Sequence, residues 1–432
     1  MMAGDAPIAI GIFAVAYALI ITERVHKTVA ALLGGTAVML FGVVSQHDAF
    51  AAIDLEVIFL LVGMMIITHF LAESGFFGYL AVRLAQVARG KPVPLMLLLC
   101  MVTAVLSALV DNVTTVLLIA PVTFLIAEQL EVPPIPYLIF EVLSANVGGT
   151  ATLIGDPPNI LIGSAAGLSF NQFVIHLGPI ALVCLVFVLV FAGLAARSHS
   201  AVDPERRARI MRMRAERSIT DRKLLVRSST VLSLVLLAFV LHGVLGFEPA
   251  AAALAGAAVL LLWTRADPEE AFRSVEWSTL FFFIGLFMLV AGLIHTGVLD
   301  ACAQGVIRLT GDSIPLTAMA VLWLSGLASS VVDNIPITVT LIPIVEQLLP
   351  ELAAQNGVST EHVHTVLWWS LALGACLGGN GTLYGAAANV VVIGIARRNK
   401  QPISFAKFLA YGLPVMILTL ALSSAYVFVR YL

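Results

Sequence analysis

The sequence predicts an all-α polytopic membrane protein built from two inverted repeats of five spans each, with two re-entrant hairpins and two broken helices. Three observations lead to this reading. Charged residues are only 11% and hydrophobic ones 60% of the 432 positions, where a soluble domain carries roughly 25% charged residues. Apolar runs of 16 to 20 residues recur from end to end, each long enough to cross hydrocarbon roughly 30 Å thick. The second half then repeats the pattern of the first at a nearly constant offset. A water-soluble fold is excluded, and a mean hydropathy of +1.02 places both halves in the bilayer.

The first repeat, 1–196, reads as spans at 7–22, 28–45 and 57–73, then an amphipathic stretch at 76–90. A hairpin follows at 94–130, with arms at 94–109 and 114–130, then a broken span at 134–166 and a span at 172–196. The break is written GGTATLIGDPP. Gly148, Gly149, Gly155, Pro157 and Pro158 cannot sustain a continuous helix, and unwound backbone at membrane depth is tolerated only where protein buries it or it lines a cavity.

The second repeat, 229–432, gives spans at 230–245, 249–264 and 278–295 and an amphipathic piece at 298–309. A hairpin at 316–350, with arms at 316–331 and 337–350, a broken span at 362–396 and a last span at 407–430 complete it. Gly34 and Gly256, Gly63 and Gly285, Asp111 and Asp333, and Pro121 and Pro343 pair at an offset of 222 (256 − 34 = 333 − 111). In the breaks the offset is 230, pairing Gly148-Gly149 with Gly378-Gly379, Thr152 with Thr382, Gly155 with Gly385 and Asn159 with Asn389. Apolarity alone does not select matching Asp-Asn, Gly and Pro residues.

Topology follows from parity. If each hairpin re-enters from the side it left, five crossings invert the second copy. With both termini outside the cell (inner) membrane, 21 of the 23 Lys and Arg fall on the cytoplasmic side (23 − 2, leaving Arg308 and Arg430), as the positive-inside rule expects. The N-terminal MMAGDAPIAIGIF lacks a basic n-region and a small-residue cleavage site, so the first run is read as a retained span. The basic linker 197–228 is the one substantial soluble element and holds ten basic residues. It reads as an orientation signal and connector, with anionic lipid or a cytoplasmic partner such as an ATPase as the sharper alternative. Beyond that charge there is no nucleic-acid signature. Cys100, Cys184, Cys302 and Cys376 stand singly in apolar surroundings, so neither a disulfide framework nor a metal site is indicated, and no cofactor is expected.

The chemistry lies in tips and breaks. The tips read LSALVDNVTTV (106–116) and ASSVVDNIPIT (328–338), each setting an Asp-Asn pair where two helical arms meet and backbone groups are free to replace a hydration shell. An intramembrane carboxylate is functional by default; Asp111 and Asp333 also have the position of helix caps, and the two roles are compatible. The breaks read SANVGGTATLIGDPPN (144–159) and GACLGGNGTLYGAAAN (374–389). Their glycines let a ligand approach main chain, while Asn146, Thr150, Thr152, Asn159, Asn380, Thr382 and Asn389 offer neutral donors and acceptors. The copies are unequal: Asn146 aligns with Cys376, and Asp156 with Ala386. Glu141, five residues before Asn146, is read either as a proton carrier or as a glutamate hydrogen-bonded within the bundle. His295, His362 and His364 fall near outer ends and are read as interfacial. No Lys or Arg occurs in either tip or break, so an anionic substrate would meet Asp111, Asp156 and Asp333 without a counter-ion; a cation, a proton or a neutral oxygen-rich solute fits better.

With these residues in view, the chain resembles the ArsB/P-type permease group of the ion transporter superfamily. The resemblance covers essentially the whole length, and DNVTTVLLIAPV with NVGGTATLIGDPPN is a motif pair of the P-type branch. It implies hairpins and broken helices that form a mobile unit moving elevator-like against a scaffold. By the resemblance Asp111, Asn112, Thr114 and Thr115, the segment Asn146 to Asn159 with Gly148 and Gly149, Asp333 and Asn334, and the segment Gly378 to Asn389 with Gly379 would line the site. Arsenite and antimonite efflux driven by protons is the activity implied first, and arsenite is mostly a neutral trihydroxide at neutral pH. Sodium/proton antiporters of the NhaD kind carry similar Asp-Asn tips. Dicarboxylate/sodium symporters carry Ser-Asn-Thr there, a pattern from which Asp111 and Asp333 depart. An enzyme is not expected: an aspartyl dyad of Asp111 and Asp333 would need the two carboxylates to share a proton, and neither HExxH nor GxGD is present.

Overall fold

The computed structural model describes residues 5–22, 24–197 and 202–432, so the extreme N-terminus and the start of the linker, 198–201, lie outside the described residues. The chain adopts the expected all-helical membrane architecture. α1 (Ala6–Thr22), α2 (Lys27–Leu40), α3 (Gln46–Ala51), α4 (Leu55–Glu73) and α5 (Phe76–Val87) come first. α2 stops short of the expected end at 45 because Gly42 takes φ +73, which lets the Val43 N–H turn back onto the Val38 carbonyl at 2.9 Å. The short α3 was not expected; it starts on Ser45, whose Oγ accepts from the Asp48 N–H.

The first hairpin is α6 (Pro92–Leu109) and α7 (Asn112–Leu130), and the broken span is α8 (Pro134–Gly149) and α9 (Pro157–Ala166), followed by α10 (Phe170–Arg197). Prolines open α6, α8 and α9, where a missing N–H costs nothing. The linker forms α11 (Pro204–Arg212) and a 3₁₀ turn at Ala215–Ser218. The second half gives α12 (Arg222–Leu245), α13 (Pro249–Thr264), α14 (Pro268–Arg273), α15 (Trp277–His295) and α16 (Val298–Thr310). The second hairpin is α17 (Ile314–Val331) and α18 (Asn334–Asn356), the second broken span α19 (Thr360–Gly378) and α20 (Ala387–Arg398), and α21 (Phe405–Tyr431) ends the chain. Among the described residues nine helices are long and apolar enough to cross a membrane; four of these, α6, α7, α17 and α18, are hairpin arms.

Glycines decide how the helices pack. A Cβ on Gly285 (α15) would lie 2.5 Å from the Ala31 backbone of α2, and one on Gly63 (α4) 2.5 Å from the Ala253 backbone of α13. Both contacts join the first half of the chain to the second, backbone against backbone, as small residues permit between membrane helices. Each hairpin is seated on its own broken helix in the same way. A Cβ on Gly148 would meet the Ala104 carbonyl oxygen at 2.1 Å, and one on Gly378 the Gly326 carbonyl oxygen at 2.3 Å. Ser107 Oγ donates to the Ala145 carbonyl and Ser329 Oγ to that of Ala375, both at 2.7 Å.

The linker is docked. Arg206 pairs with Glu131 at the foot of α7 at 2.6 Å, and Glu216 with Arg83 of α5 at 2.7 Å. The Gln86 amide donates to the Met213 carbonyl at 2.6 Å. Gly75 turns the chain between α4 and α5 at φ +80, and a Cβ there would sit 1.8 Å from the Ser218 carbonyl oxygen; only glycine meets both demands.

Candidate functional site

Each break is held open by an asparagine from the helix that follows it. Asn159 Nδ2 donates to the carbonyls of Gly149, Thr150 and Thr152 at 3.2, 3.1 and 2.8 Å. Asn389 Nδ2 donates to those of Gly379 and Thr382, both at 2.8 Å. Carbonyls released by unwinding in a buried place need such donors. Thr152 Oγ1 donates to the Ala108 carbonyl of the first hairpin at 2.6 Å, and Thr382 Oγ1 to that of Ser330 in the second. The break glycines are filled by main chain rather than open to a ligand: a Cβ on Gly149 would lie 2.4 Å from the Gly155 carbonyl oxygen, and one on Gly379 3.0 Å from that of Gly385. On the side where a Cβ would stand, break and hairpin main chain occupy the space.

The tips meet the breaks at one place. Asp111 caps α7, its Oδ1 accepting the Thr114 N–H at 2.8 Å, and Asp333 Oδ1 accepts the Ile335 N–H at the start of α18 at 3.3 Å. Both capping roles are thus present. The Asn334 backbone N–H donates to the Gly385 carbonyl at 3.1 Å, and its side-chain Nδ2 reaches Asp156 Oδ1 at 3.1 Å, so the second tip touches both breaks. Asn112 Nδ2 donates to Asn146 Oδ1 at 3.1 Å, while Asn146 Nδ2 lies 3.0 Å from Asn380 Oδ1 and 3.1 Å from Asn389 Oδ1. This chain of amides joins one tip and both breaks. Thr150 Oγ1 turns back to the Asn146 carbonyl at 2.8 Å, and the Cys376 thiol donates to Asn159 Oδ1 at 3.3 Å.

Between the tips lies a cavity of about 20 Å³, lined among others by Asp111, Asn112, Asp156, Asn334, Lys27 and Glu276, room for roughly one water-sized particle. Asn112 Oδ1, Asn380 Nδ2 and Thr115 Oγ1 are buried without a hydrogen-bond partner, and Asn112 lines the cavity. Beside it a cleft of about 400 Å³ runs past Ile20, His26, Lys27, Val113, Asp333 and Tyr384. Lys27 borders both spaces, its Nζ 2.7 Å from Asp333 Oδ2 and 5.0 Å from the centre of the Phe282 ring.

Lys27 and Glu276 are the residues that sequence reasoning missed. Both stand just outside the expected spans 28–45 and 278–295; the tips and breaks themselves hold no Lys or Arg, but α2 delivers Lys27 to Asp333 from outside them. Of the expected site residues, Asp111, Asn112, Asp156 and Asn334 line the cavity, Asp333 the adjoining cleft, and Asn146 and Asn380 the amide chain behind. Asn159, Asn389, Thr152 and Thr382 are engaged with main chain, and Gly148 and Gly378 with hairpin backbone. Glu141 lies behind the site, accepting from Thr123 Oγ1 at 2.7 Å.

Residues 17–374 match the CitMHS family, described as a citrate transporter. A 46 kDa membrane protein of Mycobacterium leprae is 45% identical over 430 residues, covering 98% of this chain and 99% of its own. An uncharacterised transporter of Mycobacterium tuberculosis is 45% identical over 429 residues, 98% of each chain. The human P protein is 34% identical over 511 residues that take in 98% of this chain and 60% of its own length. Among solved structures, the Alcanivorax borkumensis YdaH transporter aligns with a TM-score of 0.57 at 17% identity, over 90% of this chain and 87% of that one, a likeness of fold alone. The resemblance read from the motifs is met at the level of a membrane transporter with similarity to P protein, and the family profile that matches is a different one from ArsB. A multi-span membrane protein with hairpin tips and broken helices gathered at one polar site, the chain belongs to the CitMHS family of transporters.

Proposed function

We propose that the chain is a secondary active transporter that exports arsenite or antimonite in exchange for protons, within the P-type branch. The observation that carries this reading is the make-up of the cavity between the tips, where Asp111, Asp156 and the unpartnered Asn112 Oδ1 offer acceptors. Its one ammonium, Lys27, is already held by Asp333. A compact neutral trihydroxide, larger than the one water-sized particle this cavity holds as it stands, would enter from the adjoining cleft of about 400 Å³ as the tips part; it has three donors for those acceptors and needs no free cation. The intramembrane carboxylates of Asp111, Asp156, Asp333 and Glu141 are the proton carriers.

In this reading the two repeats are inverted, both termini lie outside, and the hairpins with the broken helices move elevator-like against a scaffold of α1, α2, α4, α12, α13 and α15. The separate seating of each hairpin on its own broken helix supports a unit that moves as one body. The docked linker lies in the cytoplasm, and an ATPase subunit, if one binds, meets the exposed Arg209, Arg212, Arg214 and Arg217.

Lys27 favours one second reading. The matched family is described as a citrate transporter, and an ammonium released from Asp333 is a counter-ion for a carboxylate. Everted vesicles supplied with arsenite, sodium or citrate, each with and without a pH gradient, separate the cases. Arsenite uptake that needs the gradient is the expected result. Citrate uptake lost on Lys27→Met installs the carboxylate reading, and proton movement evoked by sodium alone installs a sodium/proton antiporter.

A further inference from the structure

Away from the transport site, Arg227 of α12 and Arg265 at the end of α13 line one groove of about 570 Å³, together with Val259, Leu262, Trp263 and Thr264. α12 begins and α13 ends here, at the end of the bundle that carries the linker. The Arg227 guanidinium stands 6.0 Å from the centre of the Trp263 ring. Among the described residues neither arginine has an ion-pair partner. Asp221, the acid that starts α12, accepts the backbone N–H groups of Lys223 and Leu224 and acts on Arg227 only through space, without an ion-pair contact. Neither arginine borders the tip cavity or its cleft.

The walls of the groove face outward. Leu262 is 81% exposed, Val259 52% and Trp263 46%, and on a membrane helix such a face meets acyl chains. An indole at the end of a span marks the level of the headgroups. Two guanidinium groups at that level that no carboxylate holds in an ion pair among the described residues form a donor set for a phosphate diester. We propose that this groove is a binding site for an anionic phospholipid, its phosphodiester paired with Arg227 and Arg265 and its acyl chains laid along Val259 and Leu262. A free phosphate shares the headgroup chemistry, but it would leave the apolar wall uncovered.

The test uses the full chain in phosphatidylcholine nanodiscs containing phosphatidylglycerol or phosphatidylcholine with brominated acyl chains, which quench nearby tryptophan. Subtracting the Trp263→Phe variant isolates Trp263 from the other four of the five tryptophans. Brominated phosphatidylglycerol is expected to quench Trp263 at lower mole fraction than brominated phosphatidylcholine. Arg227→Gln with Arg265→Gln should lower that preference by roughly tenfold or more, while the paired Lys substitutions keep most of it. Should the double variant misfold, Arg265→Gln alone, at an exposed position, should still lower the preference. Equal quenching by the two lipids in the unmodified chain, or an unchanged preference in a folded Gln variant, overturns the proposal. So does removal of the preference by inorganic phosphate, which would make the site one for a free anion.

Discussion

The Lys27 ammonium lies 2.7 Å from the Asp333 carboxylate although the two are 306 residues apart in sequence. The pair joins α2, locked to α15 through Gly35 and Gly285, to a hairpin tip seated on α19 and the second break. It is a polar tie between α2 and the second tip, and Tyr17 of α1, whose hydroxyl lies 2.7 Å from the Pro336 carbonyl oxygen and 2.6 Å from Thr340 Oγ1, is a second tie to α18. Any displacement of the tip against α2 must break the ion pair. Lys27→Met should leave Asp333 unpaired and cost about 1–3 kcal/mol, less than a fully buried pair because Lys27 is partly exposed. Thermal unfolding of Lys27→Met, Asp333→Asn and the double variant measures the coupling; additive losses would show that the pair contributes nothing.

Asp111→Asn and Asp333→Asn separate capping from transport. Asparagine caps a helix about as well as aspartate, so Asp111→Asn should express and melt close to the unmodified protein and Asp333→Asn should lose only what its ion pair with Lys27 contributes, while vesicle uptake drops at least roughly tenfold in each. Uptake at the original level in both would reduce the aspartates to their capping bonds.

Gly148→Ala and Gly378→Ala should abolish folded protein, because each new Cβ falls within 2.1–2.3 Å of a hairpin carbonyl oxygen that cannot step aside. Gly305→Ala, in α16 with nothing within 4 Å, should be neutral or stabilise by up to about 1 kcal/mol. Size-exclusion profiles in detergent distinguish them; a monodisperse Gly148→Ala protein would show that hairpin and broken helix are less tightly seated than the geometry requires.

Cys376→Ser should keep most arsenite uptake. The thiol is buried against Asn159 Oδ1, a serine hydroxyl can make the same donation, and a site that held arsenic covalently would release it slowly. Uptake at background with normal protein levels would assign recognition to sulfur.

A cysteine placed at Asp48 should be labelled from outside, and one at Arg212 only from inside, in a background where the exposed Cys302 has been replaced. Labelling of both positions from one side would dismantle the inverted topology.

What the sequence made legible was what local chemistry fixes. Pro157 and Pro158 mark a helix start after a break, although α8 runs on through Gly148 and Gly149 before it unwinds, and Asp111 and Asp333 mark helix starts by residue type alone. The length of α2 was misjudged because Gly42 ends it within an apolar run. The six-residue α3 and α14 are too short to show a period. Lys27 was beyond reach for a different reason: its role exists only once α2 and the second tip are packed together, and a lysine at the head of a span otherwise reads as an interfacial anchor. The same holds for the break glycines, whose type implies close approach but not what approaches.

The contacts of Gly63 with Ala253 and of Ala31 with Gly285 govern how the protein can be made. When α4 enters the bilayer, its partner residue is still 190 positions away in the message (253 − 63), and α2 waits longer still. The early helices therefore stand in lipid with their tightest faces unfilled until translation of the second half supplies α13 and α15. Such long-range closure is slow and open to wrong partners, so membrane chaperones and the pace of the ribosome bear on yield as much as any single side chain does.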